Sequence, residues 1–284
     1  MHARNLLVGL GLVWLISRSC GADVLLRNVE LYDGTGKRPF AADVRIHGAR
    51  ILAVGPHLQP APGETVRDEH GLALAPGFID MHSHGERGLL NDLDAATISR
   101  QGVTTIFVGQ DGESNYPLRE YYSQLEATSP AINVASMIGH ATLREQVMDK
   151  DLYRASTSAE LAKMKVLLAR ELRAGAFGLS TGLEYEQSHF STTEEVVELS
   201  KVAAASGGFY ISHVRDEAND VFKSFDEVLR IGREAHIPVE ITHIKLGSTH
   251  TWHLASSRMP HYFAVAKRDH VNLELARERA NFRM

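Results

Sequence analysis

Short apolar segments alternate with helix-like segments from Ala75 onward, and this alternation restricts the fold more than any other feature of the chain. Six apolar runs lie at residues 77–81, 103–108, 134–138, 176–180, 208–212 and 238–242. Helical patterns lie between several of them, at 158–172, 193–205 and 225–235. One strand in about every 25 to 45 residues, followed by a helix, is typical of parallel strands joined by crossover helices. The sequence therefore predicts an α/β fold with six visible strand–helix units.

Residues 23–75 follow a different pattern, in which short β-like runs are interrupted by turns. Asp33-Gly34 divides two of these runs, and His47-Gly48 divides two others. Apolar runs divided by such glycine turns are typical of antiparallel strands. We therefore expect a small antiparallel β unit at 23–75, followed by a larger α/β unit at 76–249.

Residues 1–22 have the pattern of a targeting segment. Arg4 precedes an apolar stretch at 6–16, and small residues follow up to Ala22. The apolar stretch is shorter than the roughly 20 residues that cross a bilayer, so no stable membrane span is expected. We expect a secretory signal peptide cleaved after Ala22, and hence a periplasmic or secreted protein. A lipid anchor at Cys20 and a buried first strand or helix are the alternatives.

Composition limits the class of protein and its partners. The chain has 284 residues, 44% of them apolar, which is long enough for one barrel or for two smaller domains. Its formal net charge is −5 and it has no long basic run, so no binding to nucleic acid is expected. Cys20 is the single cysteine, which excludes internal disulfide bonds.

Histidine is the unusual component, because the chain has 15 and several follow the predicted strands. The histidines at strand ends are His82, His84, His140, His213 and His243. Active sites of β/α barrels lie at the carboxyl ends of the strands. His82 and His84 are two residues apart, so in an extended chain both point to one side and can bind one ion. The pattern predicts a metal site.

Several segments of the chain resemble one enzyme family. Residues 76–84 read PGFIDMHSH, which is similar to the first-strand signature of the amidohydrolase superfamily. Five further segments resemble its D-aminoacylase (N-acyl-D-amino-acid deacylase) group: 102–105, 139–144, 175–183, 212–217 and 241–245. The resemblance implies a TIM-like (β/α)8 barrel with a small β-sandwich, of which residues 23–75 form the N-terminal half. With six units visible, we expect the barrel to be incomplete.

The resemblance also implies a metal centre with one or two divalent ions, zinc or another metal. His82 and His84 would hold one ion, and His213 and His243 would hold the other. A bridging anion usually joins the two sites, and in D-aminoacylases it is a cysteine in the turn after the second strand. In this chain Asp111 stands in place of that cysteine.

Two carboxylates are candidates for the bridge. Related amidohydrolases place a carboxylated lysine or a glutamate after the fourth strand, where this chain has Glu184. We favour Glu184 over Asp111 on this basis. The alternatives are a solvent-exposed Glu184 and an Asp111 that is bound only by the backbone N–H groups of its own turn. A carboxylate bridge would widen the choice of metal beyond zinc, because thiolate is the ligand that most favours zinc.

Other residues are candidates for binding or polarising the substrate. Tyr185 and Lys245 match family positions that contact the substrate carboxylate, and lysine offers a positive point charge for that purpose. We expect His140 to polarise the scissile carbonyl or to support the site through hydrogen bonds. We expect Arg215, Asp216 and Glu217, which follow His213, to orient the metal site or to bind substrate, with a structural salt-bridge network as the alternative.

The implied function is hydrolysis of a small-molecule amide, most of all deacylation of N-acyl-D-amino acids. In the family an aspartate after the eighth strand is the general base. The tail at 250–284 does not resemble the family, and its single aspartate, Asp269, has no convincing strand before it. The general-base aspartate is therefore not found, and we expect a chain truncated relative to the family. A cyclic-amide hydrolase and an inactive, metal-binding remnant stay open as alternatives.

Overall fold

The structure, a computed structural model, describes residues 23–269 and 272–273. The predicted signal peptide at 1–22, with Cys20, lies outside the described residues. Contacts within the chain divide it into two compact units, with the boundary between Pro76 and Gly77. No helix within the described ranges is long and apolar enough to cross a membrane.

The first unit is a five-stranded sheet. Its strands are β1 Asp23–Leu31, β2 Phe40–His47, β3 Arg50–Gly55, β4 Thr65–Asp68 and β5 Ala73–Leu74. β1 pairs antiparallel with β2, and β2 pairs antiparallel with β3. β4 and β5 pair parallel with β1, so the sheet is mixed, and the prediction of an antiparallel unit holds for β1 to β3 but is wrong for β4 and β5. The difference arises because the chain crosses from β3 to the other edge of β1 before it pairs again.

The second unit contains the parallel strands. They are β6 Phe78–Asp80, β7 Val103–Val108, β8 Asn133–Ser136, β9 Ile138–Gly139, β10 Gly178–Gly182, β11 Phe209–His213, β12 Val239–Ile241 and β13 Asn272–Leu273. They pair in chain order as two sheets, β6 to β8 and β9 to β13. Each of the six predicted runs contains a strand, and the third is divided at Met137 into β8 and β9. Among the described residues the sheets do not close into a barrel.

Helices connect these strands. They are α1 Glu86–Leu89, α2 Ala96–Ser99, α3 Leu118–Thr128, α4 His140–Met148, α5 Ser158–Arg173, α6 Glu186–His189, α7 Thr193–Ala205, α8 Val221–Ala235 and α9 Thr249–Asp269. The start of α5 is fixed by a capping box, in which the Thr157 side chain and the Glu160 side chain each bind the other's backbone N–H. In the described part of the tail, α9 precedes β13, which pairs parallel with β12. β13 has only two residues and lies beyond the six predicted runs, and the apolar pattern of the sequence does not indicate it.

The main core lies between the second sheet and its helices. All five residues of β10 are buried, as expected for a strand covered on both faces. Leu168 of α5, Val196 of α7 and Val228 of α8 are each fully buried in this core. The packing fixes the strands in register, and therefore fixes the positions of the residues that follow their carboxyl ends.

Candidate metal centre

The carboxyl ends of the strands bring four of the predicted histidines together. His82 and His84 follow β6, His213 is the last residue of β11, and His243 follows β12. The ring centres of His82 and His243 are 5.1 Å apart, and those of His213 and His243 are 4.6 Å apart. Residues far apart in sequence therefore form one cluster at the edge of the parallel strands.

The turn after β7 places Asp111 inside this cluster. Gly109 and Gly112 have positive φ angles of 74° and 85°, and Asp111 has a φ of 56°. The Gln110 side chain donates a hydrogen bond of 2.9 Å to the carbonyl of Met81, next to His82. On the other side, the Gly112 N–H donates to the buried Ser180 hydroxyl at 2.9 Å. Glycine and these two hydrogen bonds hold the turn between β6 and β10.

The two carboxylate oxygens of Asp111 face different histidine pairs. Oδ2 lies 3.4 Å from Nε2 of His82 and 3.1 Å from Nε2 of His84. Oδ1 lies 3.8 Å from Nδ1 of His213 and 3.6 Å from Nε2 of His243. The side chain of Asp111 is only 12% exposed. One oxygen for each pair is the arrangement that a bridging carboxylate needs.

The donor atoms have a spacing that suits a metal ion. Two nitrogen or oxygen ligands about 2.1 Å from a tetrahedral ion lie about 3.4 Å from each other. Nδ1 of His213 and Nε2 of His243 are 3.1 Å apart, and each is within 3.8 Å of Oδ1 of Asp111. His82, Asp111 and His243 also offer ligand atoms that all lie within 4.8 Å of one another. Imidazole and carboxylate donors of this kind fit zinc and other divalent ions.

The charges in the cluster support each other. Burial raises the pKa of the Asp111 carboxyl, but hydrogen bonds from His243 and His82 outweigh it and hold that pKa far below its ordinary value. Burial lowers the pKa of His243, yet hydrogen bonds to Asp111 and Glu217 raise it to about 9, so an ion that binds this ring must displace one of its protons. The carboxylate is thus ionised at neutral pH, as a metal ligand must be.

Glu184, which the sequence favoured as the bridge, lies on one side of the cluster. It follows β10, its side chain is 42% exposed, and its Oε2 accepts from Nε2 of His213 at 2.9 Å. That nitrogen is not the one that faces Asp111. The geometry therefore places Asp111, and not Glu184, between the two histidine pairs. In the sequence both Glu184 and Asp111 simply follow a strand, so their positions along the chain could not reveal which of them lies between the histidine pairs.

Two of the predicted substrate-binding residues lie at the same edge. The Tyr185 hydroxyl lies 3.2 Å from Nδ1 of His213. Burial raises the pKa of Tyr185 to about 12, and the nearby charges of Asp111 and Glu217 add to the effect, so the hydroxyl stays protonated. The Lys245 ammonium lies 2.8 Å from the Glu217 carboxylate. Both residues are partly exposed and can be reached by a small molecule.

His140 and Arg215 are bound in structural networks. His140 is fully buried at the start of α4, where its ring contacts the Ser188 hydroxyl at 3.2 Å and the Glu195 carboxylate at 2.8 Å. Arg215 donates two hydrogen bonds to Glu227 and one to the carbonyl of His189. These contacts favour the supporting role for His140 and the salt-bridge alternative for Arg215.

Asp269, the aspartate of the tail, ends α9 and accepts hydrogen bonds from its neighbour Arg268. It lines a cavity together with Pro238 and Val239, at the amino end of β12. His243 follows the carboxyl end of the same strand. This placement gives Asp269 no role beside the histidine cluster.

Two further residues support the site, and the sequence predicted a role for the first of them only. Glu217 contacts both His243 and Lys245, and Gln110 holds the Asp111 turn. Glu217 follows His213 in the family-like segment 212–217, and on that basis it was expected to orient the metal site or to bind substrate. Gln110 has no such signal, because an amide in a turn reads as an exposed polar residue.

Comparison with known proteins places these features in a family. The model of the Amidohydrolase family matches residues 65–272, so the match continues past residue 249, where the sequence patterns ended. A D-aminoacylase of Alcaligenes xylosoxydans xylosoxydans is 36% identical over 275 residues, covering 89% of this chain and 56% of that protein. An N-acyl-D-aspartate deacylase of the same organism is 37% identical over 249 residues, covering 79% of this chain and 50% of that protein.

Solved structures agree with the sequence comparison. A crystal structure of D-aminoacylase has a TM-score of 0.80 at 32% identity, covering 88% of this chain and 57% of that one. The N-acyl-D-glutamate deacylase from Bordetella bronchiseptica, solved with zinc and a phosphonate inhibitor, has a TM-score of 0.82 at 31% identity, covering 89% of this chain and 57% of that one. The chain spans about half the length of the curated relatives it matches. With the family model matching most of its residues, the chain belongs to the amidohydrolase family.

Proposed function

We propose that this chain is a metal-dependent amidohydrolase that deacylates N-acyl-D-amino acids. The observation that carries the proposal is Asp111, whose two carboxylate oxygens each face one histidine pair. Relatives named D-aminoacylase, N-acyl-D-aspartate deacylase and N-acyl-D-glutamate deacylase support the choice of substrate.

In this proposal the chain's own residues hold one or two divalent ions, zinc or another metal. His82 and His84 bind on one side of Asp111, and His213 and His243 bind on the other side. Bound ions would polarise the amide carbonyl and acidify a water molecule. Because the bridge is a carboxylate and not a thiolate, we expect the site to accept harder ions than zinc as well.

Lys245 and Tyr185 are proposed to orient the substrate. The Lys245 ammonium supplies a positive charge for the substrate carboxylate. The Tyr185 hydroxyl stays protonated up to about pH 12, so it can donate a hydrogen bond to an anionic oxygen. Tyr185 lies beside His213, and Lys245 lies beside Glu217, which contacts His243. A bound substrate would therefore lie next to the histidine cluster.

A second candidate is a chain that binds metal without turnover. The observation that favours it is the position of Asp269, which lies near the amino end of β12 and not beside His243. With this residue excluded, no aspartate has been assigned the role of general base.

The test is hydrolysis by the purified full chain, assayed with added zinc or cobalt. We expect release of amine from N-acetyl-D-amino acids, much slower release from the L enantiomers, and loss of activity in Asp111→Asn. Replacement of the exposed His70 by alanine serves as the control and should leave activity unchanged. Metal analysis of the same preparation separates the candidates, because bound metal with no turnover of any amide would leave only the second one.

A further inference from the structure

We propose that Glu217 is a positioning residue that fixes which ring nitrogen of His243 faces the metal centre, with Glu184 doing the same for His213. The inference rests on the proposed metal centre and names residues that set its geometry. It reassigns Glu184 from bridge to partner of one histidine.

His243 shows the geometry most clearly. Its Nε2 faces Oδ1 of Asp111 at 3.6 Å, and its Nδ1 lies 3.0 Å from Oε1 of Glu217. A neutral imidazole carries one N–H and one lone pair, and a metal needs the lone pair. If Nδ1 donates its N–H to Glu217, Nε2 presents its lone pair toward Asp111.

His213 has the opposite orientation. Its Nδ1 faces Oδ1 of Asp111, whereas its Nε2 lies 2.9 Å from Glu184 and 3.8 Å from Glu217. The two histidines must therefore hold their protons on different nitrogens if both are to bind one ion. Carboxylates placed behind each ring specify these two tautomers, as carboxylate–histidine pairs do at other metal sites.

Glu217 is itself held firmly. Its side chain is 13% exposed, and its second oxygen accepts from the Lys245 ammonium at 2.8 Å. Its backbone carbonyl accepts from the Gly247 N–H at 2.6 Å, and a Cβ added at Gly247 would lie only 2.8 Å from that carbonyl oxygen. The segment that carries His243 and Lys245 is thus docked on Glu217.

One competing role must be separated from this one. His213, Glu217 and His243 offer ligand atoms within 4.8 Å of one another, so Glu217 could itself be a ligand to an ion. The two roles differ in the number of ions that the chain binds. Loss of a metal ligand would remove one bound ion, whereas loss of a supporting carboxylate keeps the number of ions and weakens their binding about 10- to 100-fold.

The test is titration of the full chain with Co²⁺, followed by its visible absorption spectrum and by metal analysis after dialysis. We expect Glu217→Ala to bind the same number of ions as the unmodified chain, with affinity reduced about 10- to 100-fold and an altered spectrum. Glu217→Gln keeps an acceptor oxygen and should recover part of that loss. Glu113→Ala is the matched control, because that carboxylate is 61% exposed and its ion pair is with Arg87.

The outcomes distinguish the two proposals. The positioning role would be overturned if both Glu217 variants bound Co²⁺ with the affinity of the unmodified chain. It would also be overturned if a variant lost one bound ion completely and kept the unmodified affinity for the remaining ion. Melting of the metal-free variants at the unmodified temperature excludes a general folding defect, and Glu217→Gln serves where Glu217→Ala does not fold. If the unmodified chain binds no Co²⁺, the proposed function itself fails. If the affinity shift is found without any amide hydrolysis, the positioning role stands and only the activity fails.

Discussion

Nη1 of Arg144 lies 2.7 Å from Oε1 of Glu195, and the two side chains are 0% and 2% exposed. The other guanidinium nitrogens donate to the carbonyls of Gln187, Leu152 and Arg154. Gln187 lies in α6, whose preceding residue is Tyr185. This buried ion pair therefore connects α4 and α7 to the loop that carries Glu184 and Tyr185 into the site.

We expect Glu195→Ala to lower the free energy of unfolding by about 3–5 kcal/mol, because it leaves the Arg144 charge buried without its partner. Glu198→Ala, on the same helix, removes partly exposed pairs with Lys165 and Lys201 and should cost less than about 1 kcal/mol. Urea unfolding of both variants measures the difference. Equal losses in the two variants would show that the buried pair adds nothing beyond a surface pair.

The same network predicts how stability depends on pH. Burial raises the pKa of Glu195, but its hydrogen bonds to His140 and Ser156 and the charge of Arg144 lower it to about 2. Burial also lowers the pKa of His140, so its ring takes up a proton at a lower pH in the folded chain than in the unfolded chain. In the unfolded chain His140 takes up a proton below about pH 6.5, and Glu195 does so below about pH 4.5.

Because the unfolded chain binds more protons in both cases, the free energy of unfolding should fall as the pH falls. We expect the fall to begin below about pH 6.5 and to steepen between about pH 4.5 and the folded pKa of Glu195 near 2. Urea unfolding at a series of pH values tests this, with Glu195→Gln as the comparison. That variant has no carboxyl to titrate, so a slope as steep as that of the unmodified chain below pH 4.5 would contradict the assignment.

The strands and the histidines were predictable because both depend on local sequence. The spacing and apolar composition of the segments locate each strand. His213 and His243 were then predicted as metal ligands because each follows the end of a predicted strand. The choice between Glu184 and Asp111 was not predictable in this way, because it depends on the left-handed turn at 109–112 and on hydrogen bonds to β6 and β10. Glu195 was missed for a related reason, since a glutamate in the first turn of a helix usually faces solvent.

Substitution of Asp111 tests the bridge directly. Asp111→Asn keeps the size of the side chain but removes the charge that both histidine pairs face, and we expect its affinity for Co²⁺ to fall at least about tenfold. Asp111→Cys supplies a thiolate, which should restore binding of Zn²⁺ while binding of the harder Mn²⁺ stays weak. Isothermal titration with each metal measures these changes. Glu113→Gln is the control two residues away, and a result for Asp111→Asn that matches this control would exclude Asp111 as a ligand.

Gly109 offers a test of the turn that positions Asp111. Its φ is 74°, and an added Cβ would lie 2.5 Å from the carbonyl oxygen of Met137 and 2.9 Å from the Ser136 hydroxyl. Gly207 is a matched control, because its φ is 73° but an added Cβ would meet nothing within 4 Å. Alanine at either position pays about 1 kcal/mol for the left-handed backbone. Only Gly109→Ala adds a steric clash, which costs about 1–3 kcal/mol more or moves the turn.

If the turn moves, Asp111 shifts away from the histidines, and metal affinity falls together with stability. We therefore expect Gly109→Ala to lose more unfolding free energy than Gly207→Ala and also to bind Co²⁺ more weakly, whereas Gly207→Ala keeps the unmodified affinity. Urea unfolding and Co²⁺ titration of the two variants check both effects. Because the two glycines share the same φ, any difference between the variants is due to the contacts of Gly109 with β8 and Met137. Unchanged Co²⁺ affinity in Gly109→Ala would mean that the position of Asp111 does not depend on this turn.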